Sequence, residues 1–310
     1  MGGIFEGFAV IGTIITVGYV VGRTGVLGPH AQVVLSRTSF FVATPCLLAV
    51  TLAETDLPTV FSASLVVTAT SSVAVAVVYA ASATLRHRAA GEVAIGAMAA
   101  GYVNAGNLGI PIAIYVLGDA SFVAPALLFQ LALFGPAMVT VLDALAAERD
   151  AGVPAPWYRT ITQPLRNPIT IGSVLGLVLA ATGWRLPEPV AEPVSLLGAL
   201  AIPAILLAFG ISLHGADRPG RGDIGASLWT VVALKNVVQP LLAYLIGAFV
   251  LDLAGLTLLA VVITAALPTA QNVFAYAVRY DQAVLLARDC ALVTTFVSVP
   301  VLVAVTLVLS

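Results

Sequence analysis

The sequence predicts an all-α membrane protein: ten transmembrane helices in two inverted five-helix repeats, with the fourth and ninth helices broken and crossing. Three observations carry this reading. Of 310 residues, 60% are hydrophobic and only 9% charged, with a mean hydropathy of +1.06; a soluble domain averages roughly 25% charged residues. Gly18, Thr24, Gly25 and Pro45 recur as Gly176, Thr182, Gly183 and Pro203, each 158 positions further on, and five helices per copy turn the second copy upside down. Two segments, Gly101–Pro111 and Ala265–Asn272, place Asn, Gln, Thr, Gly and Pro inside otherwise apolar spans. Hydrocarbon offers no partner for a freed backbone N–H or C=O, so such breaks survive only inside protein or beside a water-filled cavity.

At about 20 apolar residues per crossing, the spans fall in order at 4–22, 32–52, 60–85, 93–117, 121–145, 168–184, 190–213, 225–250, 255–279 and 283–309. The first lacks the basic flank of a cleavable signal and is expected to be retained. Arg23 closes it; Arg86 and Arg88 close the third; Arg149, Arg159 and Arg166 follow the fifth; Arg218 and Arg221 follow the seventh; Arg279 ends the ninth. The opposite loops carry Arg185 alone. Basic loops stay cytoplasmic, which predicts a plasma (inner) membrane protein with both termini extracytoplasmic. Repeat one covers 1–145, a cytoplasmic linker 146–167 and repeat two 168–310, all in one transmembrane unit. Within the linker, Pro154 and Pro156 mark a loop and Trp157-Tyr158-Arg159 an interfacial anchor.

The breaks fall at matching depth. The fourth span begins near Glu92, so Asn104 lies about 16 Å and Pro111 about 27 Å along it; Pro268 lies about 18 Å into the ninth. Both are near the bilayer centre, approached from opposite faces. Proline suits the first turn of a new half-helix, so half-helices are expected to restart after Pro111 and Pro268 with their positive ends toward the centre. Asn104, Asn107, Gly109, Thr269, Gln271 and Asn272 supply small or neutral polar groups there. A pair of interrupted spans in corresponding positions points to the binding site of a secondary transporter.

In the eighth span, Lys235, Asn236 and Gln239 share a face by their spacing. A lysine this deep is a functional candidate by default, and it is expected to hold a substrate carboxylate or neutralise its charge. Thr44 and Pro45, at the repeat proline of the second span, complete the candidate substrate-binding set. Arg288 and Asp289 lie near a span end, where snorkelling or pairing with Asp281 is expected. Cys46 and Cys290 fall inside spans and form neither a disulfide framework nor a metal spacing. No His-Glu-x-x-His or Gly-x-Ser-x-Gly pattern is present, so no enzymatic chemistry, metal or cofactor is expected. The partners expected are a small carboxylate, membrane lipid and a second copy in a homodimer, with no nucleic acid.

Three motifs, Asn104-x-Gly106-x-x-Gly109-Ile-Pro111, Arg166-Asn167-Pro168-Ile-Thr-Ile-Gly172 and Leu267-Pro268-Thr-Ala-Gln-Asn272-x-Phe274-x-x-Ala277-x-x-Tyr280, resemble the auxin efflux carrier family along the full chain. Its bacterial members are described as permeases for malate, malonate and similar anions. The resemblance implies a fold similar to the bile-acid symporter and NhaA-type transporters. It also implies a scaffold of spans 1, 2, 6 and 7, a moving domain of spans 3–5 and 8–10, and substrate beside Asn104, Pro111 and Pro268. The chain departs from the plant pattern in lacking a long cytoplasmic loop and an acid in the third span. Three readings stand: an organic-anion permease working by alternating access, a sodium-coupled symporter of bile-acid type, and a ligand-binding membrane sensor. Coupling to protons or to sodium is left open between them.

Overall fold

The computed structural model describes residues 2–54, 63–109, 112–118, 120–151, 168–215 and 219–309. Every regular element among them is helical, and the only strand-like pairing is an isolated antiparallel bridge between Val103 and Thr269. In chain order the helices are α1 (Gly2–Thr24), α2 (Ala31–Ala53), α3 (Ala63–Leu85), α4 (Ala90–Gly101), α5 (124–151), α6 (Pro168–Thr182), α7 (Glu188–Leu213), α8 (Gly225–Phe249), α9 (Gly255–Ala266), α10 (Asn272–Tyr280) and α11 (Val284–Leu309). Six of these segments, α2, α3, α5, α7, α8 and α11, are long and apolar enough to cross a membrane. Their outward faces carry Val77, Trp229, Phe249 and Phe296, all well exposed, an apolar exterior that suits hydrocarbon rather than water.

The recurring residues have a local physical reason. Gly25 and Gly183 follow the ends of α1 and α6 with φ of 67° and 66°, the left-handed cap that glycine adopts without strain. Thr24 and Thr182, one position earlier, return their hydroxyls to the carbonyls of Val21 and Leu179. Gly18 lets α1 lie against α7: a Cβ there would sit 2.5 Å from the Leu207 carbonyl and 3.0 Å from the Gly210 Cα. Gly176 does the same for α6 on α2, where a Cβ would sit 2.7 Å from the Leu52 Cβ and 2.9 Å from the Ala49 carbonyl. Leu207 and Gly210 stand 158 positions beyond Ala49 and Leu52, so one contact is made twice.

One boundary differs from the sequence reading. Helix α5 continues to Ala151 through the first six residues of the expected linker, because 146–151 contain no helix breaker; the anchor Trp157-Tyr158-Arg159 lies outside the described residues. Three helices also contain a wider π turn: Ser39–Ala43 in α2, Phe129–Phe134 in α5 and Leu234–Val238 in α8. Such insertions often mark functional positions.

Candidate functional site

Helix α4 stops at Gly101, where a Cβ would lie 2.7 Å from the Ser72 carbonyl of α3. Helix α9 stops at Ala266, and Leu267 is extended (φ −60°, ψ 147°), as the residue before a proline is driven to be. The two freed segments cross antiparallel. The Asn104 N–H donates to the Pro268 carbonyl at 2.8 Å, and the Ala270 N–H to the Tyr102 carbonyl at 3.1 Å. Side chains complete the knot: Asn104 Nδ2 donates to Gln271 Oε1 at 2.8 Å, and the Thr269 hydroxyl to the Ala99 carbonyl at 2.8 Å. From behind, the Thr294 hydroxyl of α11 accepts the Thr269 N–H at 3.0 Å and donates to the Cys290 carbonyl. Backbone groups that the helices release are thereby paired again inside the protein. Thr294→Val should leave the Thr269 N–H without its acceptor, at a cost of about 1–3 kcal/mol, and lower the melting midpoint in detergent by a few degrees. An unchanged midpoint would mean that this bond contributes nothing to the crossing.

The restart positions require a correction. On the first side the chain already resumes as a π turn at Ala105–Gly109, ahead of Pro111, and a second π turn, Ala113–Leu117, follows beyond it. The Leu108 and Gly109 N–H groups both reach the Asn104 carbonyl, at 3.2 and 3.0 Å. Asn104 therefore opens the second half of the broken span instead of ending the first. The cause is tertiary: bonds to residues 268 and 270 claim the Tyr102 carbonyl and the Asn104 N–H, and the helix is cut there. On the other side α10 begins at Asn272, four residues past Pro268.

Beside the crossing lies a cavity of about 120 Å³, bordered by Asn104 and Asn272, by Thr44 and Thr51 of α2, by Ile202 of α7 and by Gln130 of α5. A water needs about 10–15 Å³ on this measure, so the space suits several waters or one compact ligand. Along α2 the cavity runs from Thr44 toward Thr51, about 10 Å by helical rise. In the opposite direction the way is filled. Phe40 of α2 meets the rings of Tyr276 and Tyr280 of α10 edge-on at 5.8 and 6.1 Å. The Arg279 guanidinium lies 4.7 Å over the Phe41 ring, and the Tyr280 hydroxyl donates to Asp143 at 2.7 Å.

The expected site residues divide into groups. Asn104, Asn272 and Thr44 border the cavity. Pro268, Thr269 and Gln271 build the crossing and do not line it. Gly109 packs against Leu267 and Val123; Asn107 belongs to the π turn by its backbone, and Pro111 lies outside the described residues. Pro45 lies against Gly172 of α6. Lys235 is wholly buried, its Nζ donating to Gln239 Oε1 at 2.7 Å, and Gln239 Nε2 reaches the Ser72 hydroxyl at 3.1 Å. Asn236 Nδ2 donates to the Thr294 carbonyl at 3.3 Å, so this turn of α8 supports the crossing through α11 and does not line the cavity. Arg288 pairs at 2.7 Å with its neighbour Asp289, which also accepts the Gly220 N–H. Sequence reasoning missed Gln130 and Tyr102 at the cavity wall; a lone amide within the apolar stretch 126–134 was the available signal for the first.

Comparison with known proteins agrees with this architecture. A family model described as "Membrane transport protein" matches residues 4–155 and 158–306. A protein of Rhizobium meliloti (strain 1021) named "Putative malonate transporter" is 28% identical over 295 residues, covering 92% of this chain and 89% of its own length. An "Uncharacterized transporter" of Methanothermobacter thermautotrophicus is 26% identical over 291 residues, covering 92% of this chain and 91% of its own.

Proposed function

Because the chain belongs to the membrane transport protein family, we propose that it is a secondary carrier of small organic anions working by alternating access. The observation that carries this reading is the cavity at the crossing of two interrupted helices, bordered by Asn104 and Asn272 and free of charged side chains among the described residues. Interrupted helices beside a cavity near mid-membrane are how such carriers expose backbone groups to a substrate. Helix α10 starts at the cavity edge with Asn272, and the first N–H groups of a helix favour an anion. The relative named for malonate makes that short dicarboxylate the first substrate to try.

The twice-made glycine contact supports ten spans in two inverted repeats, with α1, α2, α6 and α7 as the scaffold. The remaining helices form the moving domain, and the arginine asymmetry of the loops supports both termini lying outside the plasma membrane. Lys235 stands behind the crossing in the moving domain, wholly buried, with its nitrogen held by Gln239. Reconstituted into proteoliposomes, the protein should take up radiolabelled malonate saturably, with competition from other short dicarboxylates. Comparing imposed proton and sodium gradients then identifies the coupling ion. Folded, correctly reconstituted protein that moves no short organic acid would end this reading.

A further inference from the structure

Gln130 stands in the π turn of α5, 1% exposed, at the wall of the cavity. Its Nε2 donates to the Ala126 carbonyl at 3.2 Å, and its Oε1 has no hydrogen-bond partner. The amide cannot turn over without setting two acceptor oxygens face to face, so Oε1 is the atom left over. A buried acceptor without a partner costs about 1–3 kcal/mol, a cost removed when a small rotation of the side chain brings Oε1 to a proton donor in the cavity. The same wall carries no Lys, Arg, His, Asp or Glu among the described residues. One negative charge can be met there by the threonine hydroxyls and the start of α10, but a second would be buried without any cation in contact.

Resting on the reading of the chain as an organic-acid carrier, we infer that the cavity takes a monoanion that also brings a hydrogen-bond donor, and that Gln130 Oε1 receives this donor. Hydrogen-dicarboxylates, hydroxy acids and amide acids belong to this class; fully ionised dicarboxylates and ester acids do not. A dicarboxylate bound this way carries its own proton, and no titrating side chain is required at the site.

Calorimetric titration of the purified protein with malonate, malonamate and monomethyl malonate at several pH values tests this. Malonate affinity should fall about tenfold per pH unit above the second ionisation of the diacid, while malonamate, whose donor does not titrate there, stays constant. Monomethyl malonate, with the same single charge and no donor, should bind at least about tenfold more weakly than malonamate. In Gln130→Leu, malonamate should drop to the level of the ester and the ester should hardly change. Malonate that binds equally well or better as pH rises, or an ester equal to the amide in the parent protein, overturns the donor requirement alone. An amide preference that survives in Gln130→Leu overturns the assignment to Gln130. Absence of binding by all three at every pH overturns the organic-acid reading, and this inference with it.

Discussion

Asn104→Asp is expected to reduce organic-anion uptake by about two orders of magnitude without unfolding the protein. The parent amide donates from Nδ2 to Gln271 Oε1 at 2.8 Å, a donor that aspartate lacks. Gln271 can answer by turning over, because its Nε2 has no partner in the parent; that donor would then face the new carboxylate. The variant therefore keeps a bonded crossing and gains a negative charge at the cavity wall. Two like charges about 5 Å apart repel by about 3 kcal/mol at an effective dielectric near 20, which is about a hundredfold in binding. Asn104→Ser, which removes the amide without adding charge, should lose much less. Proteoliposome uptake decides: an Asn104→Asp protein that moves organic anions as fast as the parent removes Asn104 from the site.

Lys235→Met is expected to weaken anion binding about tenfold or more while leaving the melting midpoint little changed. The side chain is fully buried and its nitrogen donates to the neutral Gln239 Oε1 at 2.7 Å; among the described residues it forms no ion pair. Removing it relieves the burial of a charge but leaves Gln239 Oε1 without its donor, and these two effects oppose each other. Methionine keeps most of the stem's volume, so packing changes little. Lys235→Ala, by contrast, opens a void and should cost about 2–5 kcal/mol, as large-to-small changes in cores do. Comparing the two separates charge from bulk. If Lys235→Met binds and transports like the parent, the lysine only holds α8 to α3.

The interruptions were legible in the sequence because they are made by composition: Pro268 and the amides of Asn104, Gln271 and Asn272 have no ordinary place in an apolar span. Where the backbone breaks was less legible. Pro111 marked a plausible restart, yet the chain leaves the helix at Tyr102 because Ala270 and Pro268, 168 and 164 positions away respectively, claim the carbonyl of Tyr102 and the N–H of Asn104. No local rule contains that pairing. The π turns were likewise invisible, since one extra residue in a turn leaves no compositional trace, and one of them places Gln130 at the wall of the cavity. Lys235 was found by its depth in the span, but depth does not say which side of a helix faces the cavity; Ser72 and Gln239 show that it faces α3.

The contact between α2 and α10 consists of ring edges and one guanidinium face. Aromatic pairs contribute about 0.5–1.5 kcal/mol each beyond the area they bury and a cation over a ring about 0.5–2 kcal/mol, and Phe40, Tyr276 and Tyr280 are all nearly fully buried here. Exposed ion pairs weaken as ionic strength rises, whereas packed rings respond little. In the alternating-access cycle proposed above, this face is therefore a latch of packed rings, over which the salt content of the surrounding compartment has little leverage.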